Sequence, residues 1–130
     1  LIHIATITAH AINKQNMKRI ALLGTKYTMQ LDFYKNALAQ YGIETLVPGE
    51  KDIEVINTSI YTELGKNIFL PATRQQYVEI INELAGRGAE GVILGCTEIP
   101  MLIKQTDSSI PVFDTTKLHA MAAVEFALGG

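Results

Sequence analysis

Apolar residues along this chain recur with two periods that take turns. Ile4, Ile7 and Ala11 share one face of a helix expected from about Thr6 to Asn16, and Arg19 to Gly24 then reads as a buried strand opening onto Thr25. Leu31, Tyr34, Leu38 and Tyr41 return at helical spacing and predict a helix from about Met29 to Tyr41, with Gly42 as its stop. Ile43 to Val47 predicts a second strand, closed by Pro48-Gly49, and Ile53, Ile56, Ile60 and Leu64 mark another helix. Thr73-Arg74-Gln75-Gln76 has the spacing of a capping box, after which Tyr77, Ile80, Ile81 and Leu84 carry a helix to Gly86 or Gly88. Val92, Ile93 and Leu94 read as a strand apolar on both faces, followed by a helix to about Gln105 and a turn at Asp107-Ser108-Ser109. Pro111-Val112-Phe113 predicts a short strand, and Thr115 or Thr116 starts a last helix through Leu128, closed by Gly129-Gly130. Strands alternating with helices predict an α/β fold, a parallel sheet with right-handed crossovers and helices on both faces.

Composition narrows the function classes. The 130 residues are 48% apolar and 18% charged with net charge −2, so no basic surplus calls for nucleic acid. No apolar stretch approaches the roughly 20 residues that span a bilayer. One cysteine forms no internal disulfide, and a reducing cytoplasm is the expected compartment. The opening Leu1-Ile2-His3-Ile4-Ala5 lacks a basic region and a cleavage pattern, so it does not read as a signal peptide. With no initiator Met, the start reads as internal to a longer chain.

The candidate chemistry gathers at strand ends. Cys96 follows the third strand where a helix should begin, and a helix N-terminus favours thiolate. Ligands of open α/β sheets bind at that end of the strands. The plain alternative is a small buried hydrophobe without reactivity. Glu98 in the same turn is either a proton relay or a carboxylate that favours a helix N-terminus; Thr97 is a carboxylate donor, an N-cap, or both. Thr25 and Thr28 follow the first strand in the same way, in a turn too short for a phosphate-cradling loop. Two such turns on one sheet edge imply a small anionic ligand. Lys66 suits a second carboxylate or a solvated helix end. His3, His10 and His119 are scattered and read as structural or surface imidazoles, with no metal spacing, and neither a Ser-His-Asp pattern nor a dinucleotide fingerprint is present.

Taken together, Gly95-Cys96-Thr97-Glu98-Ile99-Pro100, Leu102-Ile103, Pro111-Val112-Phe113-Asp114-Thr115-Thr116 and His119-Ala120 resemble the C-terminal half of the aspartate/glutamate racemase family. Ala21-Leu22-Leu23-Gly24-Thr25 with Thr28, Asp32-Phe33-Tyr34 and Gly88 to Leu94 are similar to its aspartate-racemase-like branch; glutamate racemases proper usually carry histidine where Glu98 stands. The resemblance implies a cofactor-independent racemase of two pseudo-symmetric α/β lobes, each supplying one cysteine to a substrate between them. Residues 17–111 would be the second lobe, with Cys96 and Glu98 as its catalytic pair. Thr25 and Thr97 would bind the substrate, and Tyr61 or Lys66 falls near positions that touch its side-chain carboxylate. Residues 1–16 and 112–130 would pack on an N-terminal lobe carrying the other cysteine in a cysteine-asparagine-threonine turn. The implied partner is an acidic amino acid such as aspartate or glutamate, with a homodimer common in the family, and this half alone is expected to be nearly inactive. Two alternatives stand beside it: a binding module for small anions or amino acids that kept the turns without the chemistry, and a related isomerase resembling maleate isomerase or hydantoin racemase.

Overall fold

Every residue of Ile20–Leu23 is buried, because this strand (β1, Arg19–Leu23) has neighbours on both edges and helices on both faces. The computed structural model describes residues 3–127. Helix α1 (Ile4–Lys14) precedes β1, and α2 (Lys26–Gln30), α3 (Phe33–Ala39), β2 (Glu44–Leu46), α4 (Glu50–Thr62) and α5 (Pro71–Gly86) follow it. The chain continues with β3 (Gly91–Leu94), α6 (Ile99–Leu102), β4 (Val112–Asp114) and α7 (Thr115–Ala127), with single 3-10 turns at Leu64–Lys66 and Gln105–Asp107. The expected end of the last helix at Leu128, Gly129 and Gly130 lies outside the described residues.

The four strands are all parallel, in the order β2-β1-β3-β4. Alternate side chains divide the core. Ala21, Leu23, Val92 and Leu94 meet Ile53, Ile56 and Ile60 of α4 and Tyr77, Ile80, Ile81 and Leu84 of α5. Ile20, Leu22, Ile93 and Phe113 meet Ala5, Ala9 and Ile12 of α1 and Tyr34 and Leu38 of α3. Helices therefore cover both faces, as the apolar pattern of β1 and β3 requires. Along α4 and α5 the buried apolar positions are those the helical spacing predicted, and Ser59 and Thr73 are buried beside them.

At the amino ends of the strands, Glu90 accepts the backbone N–H groups of Lys18 and Arg19 at 2.8 and 3.0 Å, tying β1 to β3; these bonds hold its carboxyl below the usual range. Helices α4 and α5 are joined in the core, where Tyr77 O–H donates to Ser59 Oγ at 2.7 Å and Ser59 donates to the Ile56 carbonyl at 2.8 Å. The outer edge of β4 is occupied by a side chain: Val112 N–H donates to Gln105 Oε1 at 2.8 Å, and Gln105 Nε2 donates to the Ile110 carbonyl at 3.1 Å.

Three expected helices differ. The span Met29–Tyr41 is two helices, α2 and α3, broken where Leu31 turns extended with ψ 150°. Met29 packs with the α4–α5 side of the core and Tyr34 and Leu38 with the α1 side, and one straight helix cannot reach both. Helix α5 starts at Pro71, whose missing N–H costs nothing in a first turn. The capping box at Thr73 is not formed; Thr73 donates instead to Glu63 Oε1 at 2.5 Å. After Cys96 the helix is a single turn, since Lys104 N–H is taken by Asp107 Oδ2 at 2.8 Å to start the 3-10 turn.

Ile93→Ala should cost about 2–5 kcal/mol by opening a cavity between the sheet and helices α1 and α3. Leu31→Ala, at a site 45% exposed, should stay within about 0.5 kcal/mol of the parent. Urea midpoints of the two variants check both.

Candidate active site

Strand β1 sends the chain outward to β2 on one side and lies against β3 on the other. The carboxyl ends of β1 and β3 therefore flank the point where strand order reverses, the usual crevice of open α/β sheets. Leu23 pairs with Leu94, so Gly24-Thr25 and Gly95-Cys96 leave the sheet side by side. Gly95 N–H donates to the Leu23 carbonyl at 2.8 Å. A Cβ on Gly95 would stand 3.1 Å from that carbonyl oxygen and 3.4 Å from Thr28 Cγ2, so glycine is what lets the two turns touch. The expected meeting of both threonine turns on one edge is observed.

The Cys96 thiol is half-buried and donates to Glu98 Oε2 at 2.7 Å. Burial pushes its pKa up from 9.0 to about 11, the Glu98 carboxylate adds to the rise, and the backbone amides of Glu98 and Ile99 pull the other way. The thiolate expected at this helix start is therefore not favoured: the amides are present, but a four-residue helix gives too weak a field to outweigh burial beside a carboxylate. Glu98 is held below its usual range, first by the thiol and next by the Thr97 hydroxyl. Tyr77 faces Cys96 from the α4–α5 side, and burial drives the Tyr77 phenol upward.

Thr97 is exposed and does not cap α6, whose N-cap position is Glu98. Thr25 caps α2: its Oγ1 accepts Thr28 N–H at 3.2 Å and lies 3.1 Å from Thr28 Oγ1. Helix α4 grips the same turn, with Asn57 Oδ1 accepting Lys26 N–H at 2.7 Å and Glu54 paired with Lys26 Nζ at 2.5 Å. Neither Asn57 nor Glu54 carries a signal in the sequence, since each stands between the apolar positions that mark α4.

Tyr61 closes α4 and Lys66 lies in the 3-10 turn beyond it. Arg74 Nε donates to the Leu102 carbonyl at 3.1 Å, which sets the start of α5 against α6. With the Asn57 contact, this places the α4–α5 connection at the rim that Cys96 occupies. Both side chains are exposed, and neither makes a hydrogen bond or ion pair with the Cys96 turn among the described residues. His3 packs on Phe33 at 5.1 Å and His10 edge-on to Tyr41 at 5.3 Å, while His119 is exposed. Among the described residues no three His, Cys, Asp or Glu side chains form a metal-binding group.

The chain belongs to the Asp/Glu/hydantoin racemase family, whose model matches residues 1–123. It is similar in structure to a candidate Asp/Glu racemase from Yersinia pestis, with TM-score 0.94 and 45% identity over 98% of this chain and 56% of that one. An aspartate racemase homologue from Pyrococcus horikoshii superposes with TM-score 0.90 and 38% identity, over 97% of this chain and 55% of that one. An uncharacterised Pectobacterium carotovorum protein from the pnlA 3′ region is 29% identical over 111 residues, 85% of this chain and 73% of its own length. The chain thus spans little more than half the length of these two solved structures.

Because the folded chain keeps the Cys96 proton to about pH 11 and an unfolded one releases it near 9.0, this group's contribution to stability is complete below pH 9 and is lost between those values. The fall in urea midpoint over that window should be smaller in Cys96→Ala than in the parent. Glu98→Gln removes the carboxylate that retains the proton, and the midpoint of iodoacetamide alkylation against pH should move down from about 11. A profile unchanged by Glu98→Gln would show that burial alone sets the thiol.

Proposed function

We propose that this chain is the half of a cofactor-independent amino-acid racemase that carries one of its two cysteines, with aspartate or glutamate as the class of substrate. The observation that carries the reading is the thiol of Cys96, hydrogen-bonded to Glu98 at the strand-order reversal of a family member. Racemisation breaks the Cα–H bond on one face of the substrate and forms a new one on the other. Cys96 in its resting state is a proton donor, so it suits delivery: its S–H proton passes to carbanionic Cα and leaves a thiolate. In the reverse direction it first passes its proton to the Glu98 carboxylate to which it is bonded, and as thiolate then takes the proton from Cα. A bound α-ammonium group supplies the positive charge that favours thiolate, opposing the burial and the carboxylate that now hold the proton in place.

The hydroxyls of Thr25 and Thr97 flank the crevice and suit the substrate's α-carboxylate, where carbanion charge spreads as the proton leaves. Lys66 and Tyr61, at the rim and uncommitted, suit the side-chain carboxylate. The other cysteine belongs to an N-terminal lobe beyond this chain, with residues 17–111 as the second lobe, extended by β4 because that strand pairs with β3, and 1–16 and 115–130 at the junction. Helix α1 buries its inner face on this sheet, so its outer face would meet that lobe. A groove of about 380 Å³ between α1 and α7, lined by Ile7, Ala11, Leu118 and Met121, supports this. No helix among the described residues is long and apolar enough to cross a membrane. A free thiol as acid/base group fits a reducing compartment, the cytoplasm.

In the full-length protein Cys96→Ser should lower racemisation by about 10²–10⁴-fold, the usual share of one acid/base group, while aspartate or glutamate still binds. The 130-residue chain alone should exchange Cα hydrogen for solvent deuterium slowly and without inversion. Chiral chromatography and proton NMR read the two results. Full activity in the serine variant ends the assignment, and ligand binding with no exchange in the full-length protein leaves an amino-acid-binding module.

A further inference from the structure

The segment Pro111-Val112-Phe113-Asp114-Thr115-Thr116 contributes β4 and the start of α7, and one of its side chains does more. Thr115 is buried, and its hydroxyl donates to the Leu94 carbonyl at 3.1 Å. Leu94 is the last residue of β3, two positions before Cys96, and it pairs with Asp114 at the end of β4. The hydroxyl thus extends the ladder just past its last paired residues. Tyr34 of α3, also buried, brings its phenol to the same hydroxyl. Packing alone explains none of this, because valine has the same shape and no polar group to satisfy.

We infer that Thr115 is a positioning residue for Cys96: by holding the Leu94 carbonyl it fixes the direction in which Gly95-Cys96-Thr97-Glu98 leaves the sheet, and with it the approach of the thiol to Glu98. The turn is held from two sides. Strand β1 takes the Gly95 amide through the Leu23 carbonyl at 2.8 Å, and α7 takes the carbonyl before it. The titratable groups that face Cys96 are Glu98 in its own turn and Tyr77 from the α4–α5 side. None of them is a hydrogen-bond partner of Thr115 among the described residues. A change in Cys96 titration on altering Thr115 therefore reports the path of the turn. The inference rests on Cys96 as the reacting group of the proposed racemase, yet the thiol can be followed without turnover.

The test is the rate of iodoacetamide alkylation of Cys96 against pH in the 130-residue chain. In Thr115→Val the midpoint should fall from about 11 toward 9.0. Alkylation at pH 8 should then be about tenfold faster for each pH unit of that fall. Thr115→Ser keeps the hydroxyl and should keep the parent profile. Thr115→Ala answers the same question if the valine variant does not fold. An unshifted profile in folded Thr115→Val or Thr115→Ala overturns the inference, as does a serine variant that behaves like valine. In the full-length protein the valine variant should lower kcat and leave KM unchanged. If the parent full-length protein does not racemise, the functional reading falls while the thiol profile still decides the role of Thr115.

Discussion

Parallel pairing between β1 and β3 sets Leu23 opposite Leu94, and from that register the geometry of the site follows. Two chain segments 71 residues apart leave the sheet at one level, close enough for the Gly95 amide to reach across to the Leu23 carbonyl. A slip of one residue would turn every side chain of β3 to the opposite layer and move Gly95 away from Thr28. The apolar side chains of both layers oppose such a slip. So does Glu90, which fastens the far ends of the same two strands. Core and site are in this sense one structure: the burial that stabilises the sheet also aligns the two turns.

The electrostatics of the site are a contest in which position alone does not predict the winner. Amides at the start of α6 draw the thiol toward its charged form, as amides at a helix start should. Withdrawal from water and a carboxylate 2.7 Å away push harder in the other direction. The outcome is a pair in which the sulfur carries the proton and the oxygen carries the charge. Such a pair is poised to change when a cation arrives, because positive charge beside the sulfur stabilises the thiolate directly and so opposes both effects.

Much of the fold was legible in the sequence because it depends on local periodicity. Ile53, Ile56 and Ile60 of α4 and Tyr77, Ile80, Ile81 and Leu84 of α5 are buried where helical spacing puts them. The crevice was legible too, since alternation of strands and helices places both threonine turns at one edge. What escaped depended on distant contacts. The break at Leu31 arises because Met29 and Tyr34 serve opposite layers, a demand visible only once the sheet exists. Thr73 looked like a cap but is claimed by Glu63, ten residues earlier, leaving Pro71 to start the helix. The titration of Cys96 went the other way because its desolvation comes from the packed layers around it. No stretch of local sequence encodes that.

The sheet ends in two strands of three residues each, β2 and β4, and at β4 the side-chain amide of Gln105 sits where an incoming strand would bond. Exposed sheet edges are templates on which other chains can add and grow into fibrils. A glutamine amide offers the same donor and acceptor as a peptide group, so it satisfies Val112 while presenting nothing an extended segment can continue. This lobe thus carries its own guard against polymerising through that rim.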